Sequence, residues 1–122
     1  MPASEAYVRT VKRTESQKGM PMPDQPMREV HVKFMGDLPA LIGQRLVVVE
    51  LPEGSTVGDL LWALSKTYGD PFRSRVFSGP TTLHHYMLIF VNGRNIKEIG
   101  GFAAKLDDSE VEVIMLPMFE GG

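Results

Sequence analysis

Thr56-Val57-Gly58-Asp59-Leu60-Leu61-Trp62-Ala63-Leu64-Ser65-Lys66-Thr67-Tyr68-Gly69 is the stretch on which the fold turns. Val57, Leu60, Leu61, Leu64 and Tyr68 recur at the i, i+3, i+4, i+7 and i+11 positions of one apolar stripe, which predicts an amphipathic helix over 56–68. Thr56 sits where an N-cap side chain accepts a first-turn amide, Asp59 faces the positive end of the helix dipole, and Gly69 suits the position just past the last turn. Trp62 falls well off the stripe, so it is either covered by the segment that follows the helix or turned toward a partner; cover is the expectation.

Upstream of this helix, Val30-His31-Val32-Lys33-Phe34-Met35 alternates apolar and polar positions as a half-buried strand does. Arg45-Leu46-Val47-Val48-Val49-Glu50-Leu51 is rich in β-branched residues and is stopped by Pro52-Glu53-Gly54. These two segments read as a hairpin. Downstream, residues 70–85 carry Pro71, Gly79 and Pro80 and read as a decorated loop with one short helical turn around Phe72, Val76 and Phe77. Tyr86-Met87-Leu88-Ile89-Phe90-Val91 is a continuous apolar run, expected as a central buried strand, and Asn92-Gly93 is a tight-turn signal. A short segment near Asn95–Ile99 returns from that turn, and Glu110-Val111-Glu112-Val113-Ile114-Met115-Leu116 is the last strand before Pro117. One amphipathic helix between an N-terminal hairpin and later strands buries its stripe only by lying across one face of a sheet, which makes the fold class α+β. The strands at 30–35 and 110–116 are expected to pair in parallel at the sheet centre. That is a β-grasp arrangement, a mixed sheet of four to five strands with one main helix packed across one face.

The chain has 122 residues, enough for one small globular domain and too few for two. Residues 1–29 hold Pro2, Pro21, Pro23 and Pro26 with almost no aliphatic side chains besides Val8 and Val11, and are expected to form a disordered N-terminal arm. The domain is then 30–116, with 117–122 as a flexible tail. A formal net charge of -2 supplies no field that would recruit nucleic acid or an anionic membrane. No stretch approaches the roughly 18 apolar residues of a membrane span, and no signal-peptide core precedes the domain, which places the chain in the cytoplasm. The absence of cysteine excludes disulfides, thiolate-zinc sites, persulfide carriage and thiolate nucleophiles.

Nothing internal reads as a catalytic site. His31, His84 and His85 are the only histidines, and adjacent residues of an extended segment point to opposite faces, so no metal site is expected. Asp107, Asp108, Glu110 and Glu112 read as a solvated turn and the outer face of a strand, and Gly100-Gly101 lacks the spacing of a phosphate loop. The informative feature is the end of the chain, Pro117-Met118-Phe119-Glu120-Gly121-Gly122, which leaves the last strand directly. Extended, such a segment reaches about 20 Å, enough to enter a partner's active site while the domain docks outside. Without Cβ atoms, Gly121 and Gly122 can thread a narrow channel, and the terminal carboxylate is a latent electrophile. Activated as an acyl-adenylate, it can accept sulfide or an amine with no cysteine on this chain.

The ordered set Val49-Glu50-Leu51-Pro52-Glu53-Gly54-Ser55-Thr56-Val57-Gly58-Asp59-Leu60-Leu61, Val91-Asn92-Gly93-Arg94-Asn95-Ile96, Leu106-Asp107-Asp108-Ser109-Glu110-Val111 and the tail Leu116-Pro117 to Gly122 resembles the MoaD/ThiS family of ubiquitin-like sulfur carriers, and within it the MoaD branch, the small subunits of molybdopterin synthase. The resemblance spans roughly residues 30–122. It implies a carrier protein rather than an enzyme, the non-catalytic sulfur-donating subunit of a transferase. It also implies an E1-like adenylyltransferase of the MoeB/ThiF type that uses ATP and Mg to adenylate Gly122, with no cofactor bound to the carrier itself. Gly122 would then become a thiocarboxylate, Gly121 would give the tail its access, and an acceptor such as the molybdopterin synthase large subunit would receive the sulfur. Ile114 and Leu116, with Met118 and Phe119 beyond them, are the expected partner-binding patch.

The acceptor pathway stays open among molybdopterin, tungsten-pterin, thiamine, thionucleoside and amino-acid synthesis. Two other functions fit the same residues: a ubiquitin-like modifier conjugated to lysines through Gly122, and a β-grasp interaction module with a chemically idle tail.

Overall fold

The computed structural model describes residues 7–10, 27–108 and 110–118. Its main sheet is built from β1 (Tyr7–Thr10), β2 (Met27–Phe34), β3 (Leu46–Pro52), β6 (Met87–Val91), β7 (Arg94–Asn95) and β8 (Val111–Pro117), in the order β1-β3-β2-β8-β6-β7. β2 and β3 form the expected antiparallel hairpin, with Val30 opposite Val49 and Val32 opposite Val47. The connection is not a bare loop, because a short helix, α1 (Leu38–Ile42), carries Pro39 in its first turn and buries Leu38. β2 and β8 pair in parallel at the centre, Val30 with Val111 through Phe34 with Met115. The chain between these two strands passes over one face of the sheet, as the position of the amphipathic helix requires. The architecture is therefore the α+β ubiquitin-like β-grasp, a mixed sheet with helices packed on it.

α2 (Val57–Tyr68) has a complete capping box: the Thr56 hydroxyl accepts from Asp59 N–H at 3.2 Å, and Asp59 Oδ2 accepts from Thr56 N–H at 2.9 Å. Its stripe behaves as the spacing predicts, with Val57, Leu60, Leu61 and Leu64 buried against Val30, Val32, Val47, Val49 and Val113 of the sheet. Each such side chain withdrawn from water contributes roughly 1.5–3 kcal/mol, which makes this layer contact the main stabilising interaction of the domain. At the Asn92-Gly93 turn both residues have positive φ, 50° and 87°, as a tight two-residue hairpin turn demands.

Three expectations need correction. The arm drawn over 1–29 contributes Met27–Glu29 to β2 and the whole of β1, which pairs antiparallel with β3 from Tyr7 opposite Glu50 to Thr10 opposite Val47. The sheet thus has six strands against the four to five expected, because Tyr, Val and Thr suit a strand and β3 offers an edge. The rest of that arm, 1–6 and 11–26, lies outside the described residues.

The 70–85 segment is more ordered than a decorated loop. It forms a second helix, α3 (Asp70–Val76), whose Phe72 and Val76 are buried, and a small hairpin of β4 (Phe77–Gly79) with β5 (Thr82–Leu83).

This segment does not cover Trp62, which stays 53% exposed. α3 and β4 instead form the far wall of a cleft of about 580 Å³ beside it, floored by Leu61 and Ser65 and closed by Phe77, Pro80 and Phe102. Among the described residues no helix is long and apolar enough to cross a membrane.

Candidate functional site

The strand that delivers the tail, β8, turns Val111, Val113, Met115 and Pro117 into the core and Glu112, Ile114 and Leu116 to the other face. Among the described residues no helix covers that face. Its two halves differ in character. Near the start of β8, Glu112 lies beside His31, and His31 Nε2 is 3.9 Å from Glu29 Oε1. Glu50 stands opposite Glu29 on the neighbouring strand, so this end is acidic. Toward the end of β8, Ile114 is flanked by Lys33 and Phe90, and Leu116 by Leu88. Ile114, Leu116, Leu88 and Phe90 are all half-buried, and Lys33 is the charge that stands among them.

Pro117 ends the ladder from a buried position, and Met118 follows it 53% exposed. The exit of the tail is held from both sides. On the β2 side, Met35 N–H donates to Met115 C=O at 2.9 Å, and Gly36, at φ 65°, lies so close that a Cβ on it would come within 3.1 Å of Pro117 Cδ and Cγ. On the β6 side, Met118 N–H donates to Tyr86 C=O at 2.8 Å. At the opposite end of β8, Asn92 ties strand to turn: its Nδ2 donates to Asp108 Oδ2 at 2.6 Å and to Glu110 C=O at 3.0 Å, and its Oδ1 accepts from Glu112 N–H at 2.8 Å. These contacts fix β8 along its length, so the point at which the tail departs is set by the body of the domain.

No protein-family model matches this chain. Small archaeal modifier protein 3 of Haloferax volcanii is 28% identical over 94 residues, covering 77% of this chain and 99% of the relative. The crystal structure of SAMP1 from Haloferax volcanii superposes with a TM-score of 0.65 at 26% identity, over 77% of this chain and 99% of that one. A Pyrococcus furiosus protein assigned as subunit 1 of a molybdopterin converting factor gives a TM-score of 0.60 at 28% identity, over 75% and 99% of the two chains.

The chain is homologous to small archaeal modifier proteins and to MoaD-like molybdopterin converting factor subunits, and shares their ubiquitin-like β-grasp fold. The sequence-derived patch divides. Ile114 and Leu116 share the open sheet face, and Met118 stands at the tail exit. Phe119, Gly121 and Gly122 lie outside the described residues. Among the described residues, no group of three His, Asp or Glu side chains is placed to hold a metal ion.

Two features of this surface escaped the sequence reading. Leu88 and Phe90 belong to the open face, whereas the run 86–91 reads as a strand buried on both sides; every residue there is apolar, so no alternation marks the outward positions. Gly36 and Tyr86 flank the tail exit but sit far from it in sequence, and only the pairing of β8 with β2 and β6 brings them there.

Proposed function

We propose that this protein is a sulfur carrier whose Gly122 carboxylate is adenylated by an E1-like enzyme of the MoeB/ThiF type and converted to a thiocarboxylate. The observation that carries the reading is that β8, central in the sheet, ends at Pro117 beside an apolar patch that no helix among the described residues covers, and the sequence runs on from there to Gly121-Gly122. ATP and Mg belong to the activating enzyme. The carboxylate oxygen attacks the α-phosphorus of ATP, pyrophosphate leaves, and a sulfur nucleophile then displaces AMP from the acyl carbon. Leu88, Phe90, Ile114, Leu116, Met118 and Phe119 form the docking surface in this account, while Gly121 and Gly122 reach the catalytic centre. The acceptor is the large subunit of molybdopterin synthase or an enzyme of a related sulfur-inserting pathway, and the reactions take place in the cytoplasm. Deleting Gly122 should abolish thiocarboxylate formation by the E1-like enzyme and sulfur source while leaving the thermal unfolding profile intact. Continued sulfur transfer by the shortened chain contradicts the reading.

The second reading, a protein modifier, shares the adenylate and ends in an isopeptide bond to lysine. It is favoured by the description of the Haloferax relative as a modifier. Gly122-dependent adducts that survive denaturant identify that mode.

A further inference from the structure

The 70–85 segment, which the fold class does not require, reaches the root of the tail through two aromatic side chains. α3 ends with carbonyl groups that have no donor within the helix, as every helix does. The first, Arg73 C=O, accepts from Phe77 N–H. Each of the next three is met by the chain at His84–Tyr86. Ser74 C=O accepts from His84 Nε2–H at 3.0 Å, Arg75 C=O from the Tyr86 hydroxyl at 3.3 Å, and Val76 C=O from His84 N–H at 3.0 Å. The two rings stack with centroids 4.8 Å apart and planes 8° from parallel. Tyr86 is thereby held by its hydroxyl, its ring face and its backbone, and its C=O is the group that receives Met118 N–H at 2.8 Å.

We propose that Tyr86 and His84 are positioning residues for transfer at the C-terminus: by anchoring Tyr86 to the end of α3 they fix the direction in which the tail leaves the sheet. This rests on the reading of Gly122 as the activated group. The physical reason is the shortness of the tether. Beyond Met118 the tail spans only about 13 Å when extended, so a change in exit direction at its root displaces the terminal carboxylate by a comparable fraction of that length. A reacting atom misplaced by about 1 Å costs a large factor in rate without altering how the domain docks. Neither side chain belongs to the apolar patch of the open face, so anchoring and docking are separable.

The test uses the full-length protein with an E1-like adenylating enzyme encoded in the same genome, following ATP–pyrophosphate exchange, with hydrogen exchange at the Met118 amide read in parallel. Tyr86→Phe removes one O–H and keeps the ring; His84→Ala removes the stack and one anchoring bond. The expected result is a kcat lower by about threefold in Tyr86→Phe and about tenfold in His84→Ala, with KM within about twofold of wild type. Met118 exchange should be faster by about fivefold, the effect of loosening one net hydrogen bond. If His84→Ala fails to fold, Tyr86→Phe, which changes no volume in the core, carries the comparison. Unchanged kcat, a change confined to KM, or unchanged Met118 exchange in a folded variant overturns the positioning role. Wild-type protein that the enzyme binds but does not adenylate overturns the functional reading instead.

Discussion

Gly36 and Pro117 are in contact across the centre of the sheet: a Cβ built on Gly36 would meet the proline ring at 3.1 Å, and Gly36 itself has a φ of 65°. Gly36, two residues past the end of β2, thus has no free room for a side chain beside Pro117, the last residue of β8. Gly36→Ala should lower stability by about 1–2 kcal/mol from the backbone conformation alone, with any displacement of Pro117 adding to it. Urea unfolding should show a lower midpoint at an unchanged slope. A midpoint equal to wild type would mean that the two residues are not packed this way.

The reciprocal bonds of Thr56 and Asp59 are the second local test. Thr56→Ala removes the hydroxyl that accepts at 3.2 Å and leaves a first-turn amide without that partner. The expected cost is about 1 kcal/mol, a thermal midpoint lower by roughly 4–8 °C. Circular dichroism melting checks it, and Thr56→Ser should restore most of the loss.

The Thr56 cap with Asp59 in the first turn, the Val57–Tyr68 stripe and the β2–β3 hairpin were legible in the sequence because each depends on spacing or turn chemistry local to a few residues, and the parallel pairing of β2 with β8 followed from laying that helix across a single sheet. Three things were not. β1 is four residues among polar and proline-rich neighbours, too short to show a period, and it is specified by the edge of β3 rather than by itself. The outward positions of β6 are hidden by a run with no polar residue in it. The tail anchor at Tyr86 depends on three carbonyls of a short helix whose proline and glycine neighbours suggested a loop. Local signals find elements; contacts between elements distant in the chain decide what surrounds the tail.

Tyr68 lends the fold an alkaline limit. Its ring packs edge-on against Phe34 at 6.2 Å and lies 6.4 Å from Phe72, and burial holds its pKa above the ordinary 10.0 because the phenolate would lose hydration. The folded state therefore keeps its proton to higher pH than the unfolded chain does. This contribution is present in full below pH 10.0 and is lost as pH rises through the folded value. Chemical denaturation between about pH 9 and about pH 11 should show wild-type stability falling more steeply than that of Tyr68→Phe, which lacks the ionising group. Parallel curves would contradict the assignment.

The docking face gives a prediction opposite in kinetic form to that for Tyr86. Leu116 lies half-buried on the open sheet face, beside Leu88. Leu116→Asp places a charge there at a cost of roughly 1 kcal/mol or less in stability, while it should raise the KM for the adenylating enzyme by about tenfold or more. Steady-state ATP–pyrophosphate exchange against carrier concentration separates the two. An unaltered KM would move the docking surface elsewhere, and the exposed Trp62 beside its cleft would be the next face to test.

The central claim is that Gly122 carries sulfur. The most direct measurement is the intact mass of the protein purified from its native host, with tandem mass spectrometry across Pro117 to Gly122. The account predicts replacement of one carboxylate oxygen by sulfur, localised to Gly122. An unmodified carboxylate in cells that contain the E1-like partner and a sulfur source would contradict it.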